Sequence, residues 1–440
     1  MIGPSEENPG GAVPDAAPGR RKAARKTVPP IAPAGPRLAR RASGRRGHWF
    51  VGGSLAVLGM GLWAAMWLWF AIHHVAWLGP WLADTARAIV GTNAVSRIEE
   101  SAYDLDDRWN RWRHRGERPA AHWTIPDPPL TPGSEGSTEG AISARPQELS
   151  LFLPKDVGPL FRDVAAKGDG VWVPVADFAE QNEPVVLYKT LVHPDPERSF
   201  AEIFIVAVDL RRTRLHAVAG TIEPEASTDE GQHYVRTGLI REEHRPSLVA
   251  AFNGGFKTEH GRYGMRVDDI TLLSPRDKAC AIAGYADGRV GIASWSPMAP
   301  RSQEMTWWRQ APACMVEEGA LHAGLKSEIA TSWGTALGGG TVVRRSAIGL
   351  DQSGRILYVG VSNATNARAL ARGMQHVGAS SVAQLDINWS YPHVVTFRAS
   401  KTGAPQGYLL FDGFTYEGNT YLERRSQRDF FYLTREPRVD

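Results

Sequence analysis

A long apolar stretch near the N-terminus is the strongest hydropathy signal in the chain. From Trp49 to Leu82 there is no Asp, Glu, Lys or Arg. A helix through the most apolar part, residues 50–72, is roughly 34 Å long at about 1.5 Å per residue, which is enough to cross the core of a bilayer. The pattern predicts a transmembrane helix at residues 49–78. A cleaved signal peptide is the alternative, but the basic region before it is long and the apolar run exceeds an ordinary signal sequence.

A second helical pattern follows the apolar stretch. Ile98, Ala102, Leu105, Trp109 and Trp112 recur at spacings of three and four. This spacing predicts a juxtamembrane helix within residues 79–117. Residues 118–149 are rich in Pro, Gly, Ser and Thr, a composition typical of a linker. The sequence therefore predicts one large domain at residues 150–440.

Within this domain, short apolar runs alternate with turn residues. Runs rich in β-branched residues predict strands at 202–209, 248–252, 279–283, 290–294, 348–351, 356–361, 382–385 and 394–397. Glycines at 288 and 354 lie between paired runs and predict hairpins. The clearest helix runs from Asn366 to Val377 and ends at Gly378, with a strand on either side. These elements predict an α+β fold of mixed, largely antiparallel sheets with flanking helices and one crossover unit.

Charge is concentrated in the N-terminal tail. Ten Lys and Arg against three Asp and Glu give residues 1–48 a net charge of +7, so the rest of the chain carries −4 within a total of +3. The tail has a composition typical of disorder. Its basic residues beside an apolar helix predict a cytoplasmic N-terminus by the positive-inside rule. We therefore expect a single-pass membrane protein, in the inner membrane if the cell is bacterial, whose C-terminal domain is periplasmic or extracellular. The acidic remainder gives no indication of nucleic-acid binding.

The two cysteines, Cys280 and Cys314, leave two possibilities open. In an oxidising compartment they could form a disulfide, and otherwise they are two buried thiols. Neither has a second Cys or His at the spacing of a zinc site, so no metal is expected. The sequence contains neither G-x-G-x-x-G nor a Walker motif, which disfavours a dehydrogenase or an NTPase. We expect no cofactor.

Three segments carry residues suited to chemistry on a charged substrate. Residues 252–257 read Phe-Asn-Gly-Gly-Phe-Lys, and glycines after a strand allow backbone amides to approach a ligand closely. Arg345 offers a planar guanidinium that matches two phosphate oxygens, although a structural salt bridge is an equal alternative. Arg344 beside it should point to the opposite face, so only one of the two is expected in a site. Asp386 follows a short apolar strand and is either a carboxylate in a cleft or the cap of a turn.

Together these segments resemble the motifs of the phosphodiester glycosidase family. The segment 345–349, Arg-Ser-Ala-Ile-Gly, is similar to the family's Arg-Thr-Ala-Ile-Gly strand, and residues 385–390 are similar to its Leu-Asp-Gly-Gly-Gly-Ser motif. The resemblance implies a glycosidase, a hydrolase of phosphodiester-linked sugars in envelope or exopolysaccharide glycans. The catalytic residues that it implies are Asp386, Asn253 and Arg345. The substrate-binding residues that it implies are Gly254, Gly255, Lys257, Asn388, Trp389 and Ser390.

The last motif departs from the family pattern at its three glycines, which are Ile387, Asn388 and Trp389 in this chain. Ile387 resists positive φ, so successive amides cannot form the anion-binding nest that glycines would allow. Trp389 either offers an aromatic face to a sugar ring or packs in the core. Two functions therefore stand. The first is a membrane-anchored hydrolase whose Asp386 is nucleophile, base or electrostatic stabiliser, and the second is a catalytically altered glycan-binding or envelope-scaffold domain of the same fold.

Overall fold

The computed structural model describes residues 92–125, 152–175, 184–326, 333–334, 341–399 and 404–436, together with single positions between residues 59 and 89. The chain divides into two compact units, residues 1–71 and 72–440. The predicted cytoplasmic tail, residues 1–48, lies outside the described residues, as do most positions of the predicted transmembrane helix at 49–78. The described positions from Gly59 to Ala71 are helical, and large apolar side chains among them are more than half exposed. No helix within the described residues has both the length and the apolar composition needed to span a bilayer.

The second unit consists mainly of short strands. The α-helices of its described part are Thr92–Arg113, Asp229–His233, Trp295–Met298 and Ala367–His376. Short 3-10 helices occupy Arg162–Val164, Glu242–Ser247, Thr258–His260, Ala299–Glu304 and Ala323–Leu325. The strands are β1 (Val173–Pro174), β2 (Leu187–Val192), β3 (Ile203–Asp209), β4 (Thr213–Val218), β5 (Leu248–Asn253), β6 (Met265–Val267), β7 (Ile270–Leu273), β8 (Cys280–Tyr285), β9 (Val290–Ser294), β10 (Met305–Ala311), β11 (Val316–Glu317), β12 (Ala320–Leu321), β13 (Val343–Leu350), β14 (Ile356–Thr365), β15 (Ser381–Gln384), β16 (Val394–Ala399), β17 (Pro405–Leu409) and β18 (Phe430–Arg435).

Among the described residues these strands form three sheets. One sheet has eight strands in the order β1-β2-β3-β14-β13-β15-β11-β12, and two have five strands each, β7-β6-β10-β8-β9 and β17-β16-β5-β18-β4. The strand pairings within these sheets are antiparallel. The prediction of an α+β fold with largely antiparallel sheets is confirmed.

The predicted crossover unit surrounds the helix Ala367–His376. β14 and β15 each pair antiparallel with β13, so they run parallel to each other, and this helix connects them. Asn366 caps the helix by accepting a hydrogen bond from the amide of Ala369 at 2.8 Å. Gly378 follows at a φ of 106°, a conformation that favours glycine and ends the helix. The helix predicted at Asn366–Val377 is thus confirmed.

The eight-stranded sheet is buried on both faces. Phe204, Val206 and Val208 of β3 pack toward the two smaller sheets, whereas Ile203 and Ile205 pack toward the helix Ala367–His376. Every residue of β3 is buried. The almost unbroken apolar run in the sequence therefore reflects a strand between two layers, because alternate side chains enter two different cores.

The two cysteines form a disulfide that joins two neighbouring strands at one end of a sheet. Cys280 begins β8 and Cys314 lies shortly after β10, the neighbouring strand, with their Cα atoms 4.7 Å apart. Both side chains are buried. Of the two possibilities left open by the sequence, the structure contains the disulfide.

The juxtamembrane helix predicted within residues 79–117 extends over Thr92–Arg113. Asp107 forms a two-pronged ion pair with Arg198 of the domain, at 2.7 and 2.9 Å. Leu105, Trp109 and Trp112 on the predicted apolar stripe are more than half exposed. The helix therefore contacts the domain through a polar residue and leaves its apolar stripe outside.

Candidate functional site

The three motif segments meet at the hydroxyl group of Ser346, which belongs to the second of them. Asn253, the last residue of β5, donates from Nδ2 to Ser346 Oγ at 2.7 Å. That hydroxyl donates in turn to the backbone oxygen of Asp386, just beyond the end of β15, at 2.9 Å. The amide of Asp386 also donates to the backbone oxygen of Gly254 at 3.1 Å. All of these groups are buried. The structure therefore brings Asn253 and Gly254 together with the backbone of Asp386.

The carboxylate of Asp386 is paired with a residue that the sequence analysis did not select. Arg428 Nη1 lies 2.7 Å from Asp386 Oδ2, and the exposed fractions of the two side chains are 13% and 3%. Arg428 Nη2 also donates to the backbone oxygen of Gly255 at 3.0 Å, and its guanidinium lies 4.3 Å from the centre of the Tyr391 ring. A guanidinium beside a carboxylate at a glycine turn is therefore the charged centre of the candidate site.

A second ion pair, between Arg309 and Asp429, lies next to the pair of Asp386 and Arg428 and holds the same glycine turn. Arg309 Nε donates to Asp429 Oδ2 at 2.8 Å, and both side chains are almost fully buried. The same carboxylate oxygen accepts from the amide of Gly255 at 2.9 Å, and Arg309 donates to the backbone oxygen of Phe256 at 2.6 Å. Hydrogen bonds to charged groups are stronger than neutral ones. This pair therefore fixes the turn that carries the first motif.

The two glycines of the first motif are required by close contacts. A Cβ atom on Gly254 would lie 2.3 Å from the backbone oxygen of Asp429, and one on Gly255 would lie 2.9 Å from Arg309 Nη2. Neither glycine is among the residues with positive φ. A side chain is excluded at both positions because the second ion pair and its backbone occupy the space, and close approach of a ligand to these glycines stays a prediction.

Arg345 does not join this centre. It shares a face of β13 with Ala347, which packs toward the helix Ala367–His376, whereas Ser346 lies on the opposite face. Its buried guanidinium donates to the backbone oxygens of Trp333 at 2.8 Å and Thr365 at 3.0 Å. Burial lowers the pKa of Arg345 to about 9. The phosphate contact expected for Arg345 is therefore not available in this arrangement, because the guanidinium is enclosed by backbone carbonyl groups.

The neighbouring arginine contacts the third motif instead. Arg344 Nη1 donates to the backbone oxygen of Trp389 at 2.7 Å, and its guanidinium lies 4.6 Å from the centres of the Trp389 and Phe414 rings. Burial lowers the pKa of Arg344 to about 10. The expectation that only one of the two adjacent arginines faces the motif residues agrees with this placement, and Arg344 is the one that does.

The segment that replaces the family's glycines has ordinary backbone angles. None of Ile387, Asn388 and Trp389 has a positive φ. The side chain of Asn388 accepts from the amide of Ser390 at 3.0 Å and from its hydroxyl at 3.2 Å, which closes a local turn. This segment therefore forms no nest of successive amides. The Trp389 side chain is 45% exposed, so it does not pack in the core.

Lys257, the remaining residue implied by the resemblance, follows the glycine turn. Its ammonium group lies 3.5 Å from a carboxylate oxygen of Glu259. The substrate-binding roles of Lys257, Asn388, Trp389 and Ser390 stay predictions. Among the described residues, no group of three or more His, Cys, Asp and Glu side chains is arranged to hold a metal ion.

Burial and charge around the site perturb its ionisable groups. Burial acts to lower the pKa of Arg428, but the negative charge of Asp386 outweighs it and the pKa is raised above the usual value. Burial raises the pKa of Tyr391 and lowers the pKa of His393 to about 4. At neutral pH Arg428 is therefore charged, whereas Tyr391 and His393 are neutral.

Arg428, Asp429 and Arg309 were missed by the sequence analysis. Arg428 and Asp429 stand directly before the apolar strand β18, and Arg309 lies within the otherwise apolar strand β10. Charged residues beside or inside buried strands require partners, and this is the signal that could have selected them. The sequence does not indicate which residues pair with these three charged side chains.

The chain has no match among family models or among curated proteins in sequence. Solved structures similar to it include the catalytic domain of zebrafish N-acetylglucosamine-1-phosphodiester alpha-N-acetylglucosaminidase, auto-inhibited by its pro-peptide. That similarity has a TM-score of 0.36 at 15% identity, over 59% of this chain and 87% of that one. A hypothetical protein from Synechocystis is similar with a TM-score of 0.33 at 11% identity, over 57% and 62% of the two chains. These similarities are distant.

Proposed function

We propose that the protein is a membrane-anchored extracytoplasmic hydrolase of phosphodiester-linked sugars in envelope or exopolysaccharide glycans. The observation that carries the proposal is the ion pair between Asp386 and Arg428 at 2.7 Å, placed where the first and third motifs meet. A glycosyl phosphodiester presents one permanent negative charge next to a carbon that becomes positive during cleavage. A guanidinium and a carboxylate side by side match these two charges.

The reaction breaks the bond between the anomeric carbon and the phosphate oxygen. Water adds to the carbon and loses a proton, and the phosphate half leaves as a monoester. Arg428 binds the phosphate, and the carboxylate of Asp386 stabilises or captures the sugar cation. Because a phosphate monoester is a good leaving group, the proposal needs no strong general acid.

In this proposal, the phosphate of the substrate replaces the Asp386 carboxylate as the partner of Arg428. Arg428 is the more exposed member of the ion pair, so a phosphate reaches the guanidinium before it reaches the carboxylate. Binding of phosphate to Arg428 then loosens its hold on Asp386 and leaves the carboxylate available to the sugar carbon. Asn253 has a positioning role, because it holds the backbone of Asp386 through Ser346.

A second candidate function is a glycan-binding or scaffold domain without catalysis. The observation that favours it is the exposed Trp389 ring, which is fixed against the Arg344 guanidinium. A rigid, exposed aromatic face is suited to a sugar ring. The low exposure of Asp386 also agrees with a carboxylate that has become structural.

Membrane anchoring and an extracytoplasmic domain are part of the proposal. The uncharged stretch from Trp49 to Leu82, the basic tail before it and the disulfide in the domain support this orientation. Alkaline phosphatase fused at residue 140 should be active in a bacterial host and inactive when fused at residue 30. The reverse pattern contradicts the orientation.

Product analysis with the full chain separates the two candidate functions. The protein in non-ionic detergent is incubated with a panel of sugar 1-phosphodiesters, and released monoester is converted to inorganic phosphate by an added phosphatase. A hydrolase releases phosphate only when that phosphatase is present, and Asp386→Asn abolishes the release. If the natural chain is inert and the combined Ile387→Gly, Asn388→Gly and Trp389→Gly variant gains hydrolysis, the natural protein is an altered binding domain.

A further inference from the structure

A cavity lies away from the Asp386 centre, and nothing in the proposed function uses it. It has a volume of about 590 Å³. Its walls come from β4, the C-terminal part of β18, the hairpin between β8 and β9, and the segment 234–247. Its lining, as far as the chain is described, includes neither Asp386 nor Arg428. The volume is within the range of cavities that hold small ligands.

The lining of this cavity has an excess of positive charge. Its described residues include five arginines, namely Arg214, Arg236, Arg241, Arg289 and Arg435, and two carboxylates, Asp268 and Glu436. Arg236 donates to the backbone oxygens of Ile222 at 3.0 Å and Pro224 at 2.6 Å, which carry no net charge. Arg289 is paired with Asp287, which neighbours the lining, and the arginines still outnumber the carboxylates. A concave surface with a net positive charge attracts anionic ligands.

The carboxylates of the cavity are held in pairs that a ligand can displace. Arg214 is paired with Glu436 at 2.8 Å, and Arg241 is paired with Asp268. More than a third of each of these four side chains is exposed. Exposed ion pairs contribute at most a small stabilisation, so these guanidinium groups can turn to an incoming anion.

Aromatic rings complete the lining. Tyr432 is stacked on His216 with ring centres 4.6 Å apart. The guanidinium of Arg289 lies over the Tyr285 ring, 5.1 Å from its centre. Tyr234 and Arg236 also line a smaller cavity of about 360 Å³ next to the first. Partly exposed tyrosines offer flat apolar faces beside polar groups, which is the surface that a sugar ring packs against.

We propose that this cavity is a binding site for an anionic saccharide, a sugar that carries a phosphate or a carboxylate group. The arginines hold the anionic group, and Tyr234 and Tyr285 contact the ring. The site is independent of the hydrolysis proposed for Asp386.

Saturation-transfer NMR on the full chain in detergent tests this site with four probes: glucose 6-phosphate, glucuronate, glucose and inorganic phosphate. We expect binding of one or both anionic sugars, and much weaker binding of glucose and of phosphate alone. If only one anionic sugar binds, that result identifies phosphate or carboxylate as the recognised group. Equal binding of glucose, or binding of inorganic phosphate as strong as that of glucose 6-phosphate, contradicts the proposal.

Variants locate the bound sugar. Arg241→Gln should weaken binding about tenfold, near the low end for a charge-assisted contact because the side chain is exposed. Arg301→Gln is the matched control, since Arg301 is equally exposed and paired with Glu304 outside the cavity. Arg428→Gln reports on the Asp386 centre, because Arg428 is the group proposed to bind phosphate there and does not line the cavity. If Arg428→Gln weakens binding and Arg241→Gln does not, the sugar occupies the Asp386 centre and the second site does not exist.

Discussion

Asp386 and Arg428 form an ion pair that is almost shielded from solvent, with Arg428 Nη1 2.7 Å from Asp386 Oδ2. The pair joins the end of β15 to the start of β18, strands that belong to different sheets. Arg428 also contacts the turn after β5 through the backbone oxygen of Gly255. The charged centre is therefore both a candidate site and a structural connection between sheets.

Removal of Arg428 should destabilise the protein strongly. Arg428→Ala leaves the Asp386 carboxylate buried without its partner, and loss of one member of a buried pair costs about 3 to 5 kcal/mol. The free energy of unfolding, measured with urea, should fall by an amount near the low end of that range because Arg428 is partly exposed.

The double variant Asp386→Asn and Arg428→Ala serves as the control for this prediction. It should be less destabilised than the sum of the two single variants, because the second substitution removes the unpaired charge. Additive losses would show that the two residues are not coupled.

Stability should decline as the pH rises above neutrality because of His193. Its Nδ1 lies 2.9 Å from Asp169, and its Nε2 lies 3.7 Å from Glu202. Burial acts to lower the pKa of His193, but these carboxylates outweigh it and raise the pKa from 6.5 to about 9. The protonated form is favoured in the folded state, so this stabilisation is complete below pH 6.5 and is lost as the pH rises through about 9.

Denaturation curves at pH 6 and pH 9 measure this effect. The decrease in the free energy of unfolding should reach about 3 kcal/mol at most, at about 1.4 kcal/mol per pKa unit. His193→Gln should flatten the curve over this range, whereas substitution of the exposed His233 should not. A pH dependence that survives in His193→Gln assigns the effect to other groups.

Loss of the disulfide between Cys280 and Cys314 should lower stability without changing the fold. The bond closes a loop with a sequence separation of 34, for which the chain-entropy relation gives about 3 to 4 kcal/mol. The double Cys→Ala variant should unfold at lower urea concentration than the oxidised protein, and a reducing agent should affect only the natural chain. Two reactive thiols in the denatured, unreduced protein would contradict the bond.

Gly254→Ala should be among the most damaging small substitutions in the site. Its new methyl group would lie 2.3 Å from the Asp429 backbone oxygen, a contact that requires the strand or the turn to shift. Gly418→Ala is the matched control, since nothing lies within 4 Å of a Cβ placed there. We expect a loss of several kcal/mol at Gly254 and less than about 1 kcal/mol at Gly418, measured by thermal unfolding. Equal effects would show that the crowding around Gly254 is absent.

Local patterns predicted much of the fold. The strand predicted at residues 290–294 coincides with β9, and the helix predicted at Asn366–Val377 lies within one residue of its observed ends. These elements combine a clear period with turn or capping residues nearby, so local forces and tertiary packing favour the same conformation. The sequence also selected the three segments that meet at Ser346.

The composition of the charged centre could not be predicted in the same way. Alternation along a strand indicates that Arg344 and Arg345 face opposite sides, but it does not indicate which side holds the site. That choice depends on the carbonyl groups of Trp333, Thr341 and Thr365, which enclose Arg345. The pairing of Asp386 with Arg428 likewise depends on how two sheets pack, which no local pattern contains.

The kinetics of Asp386→Asn and Arg428→Gln on a cleaved sugar phosphodiester test whether this ion pair is the catalytic centre. Turnover and substrate affinity are measured separately for the full chain, by single-turnover kinetics and by equilibrium binding. Asp386→Asn should lower turnover about a hundredfold or more with an unchanged Kd, because the carboxylate acts on charge that develops in the transition state. Arg428→Gln should weaken binding by about tenfold or more, since phosphate is charged before the reaction begins. Turnover by Asp386→Asn at the natural rate, or unchanged substrate affinity in Arg428→Gln, would contradict the assignment of this ion pair as the catalytic centre.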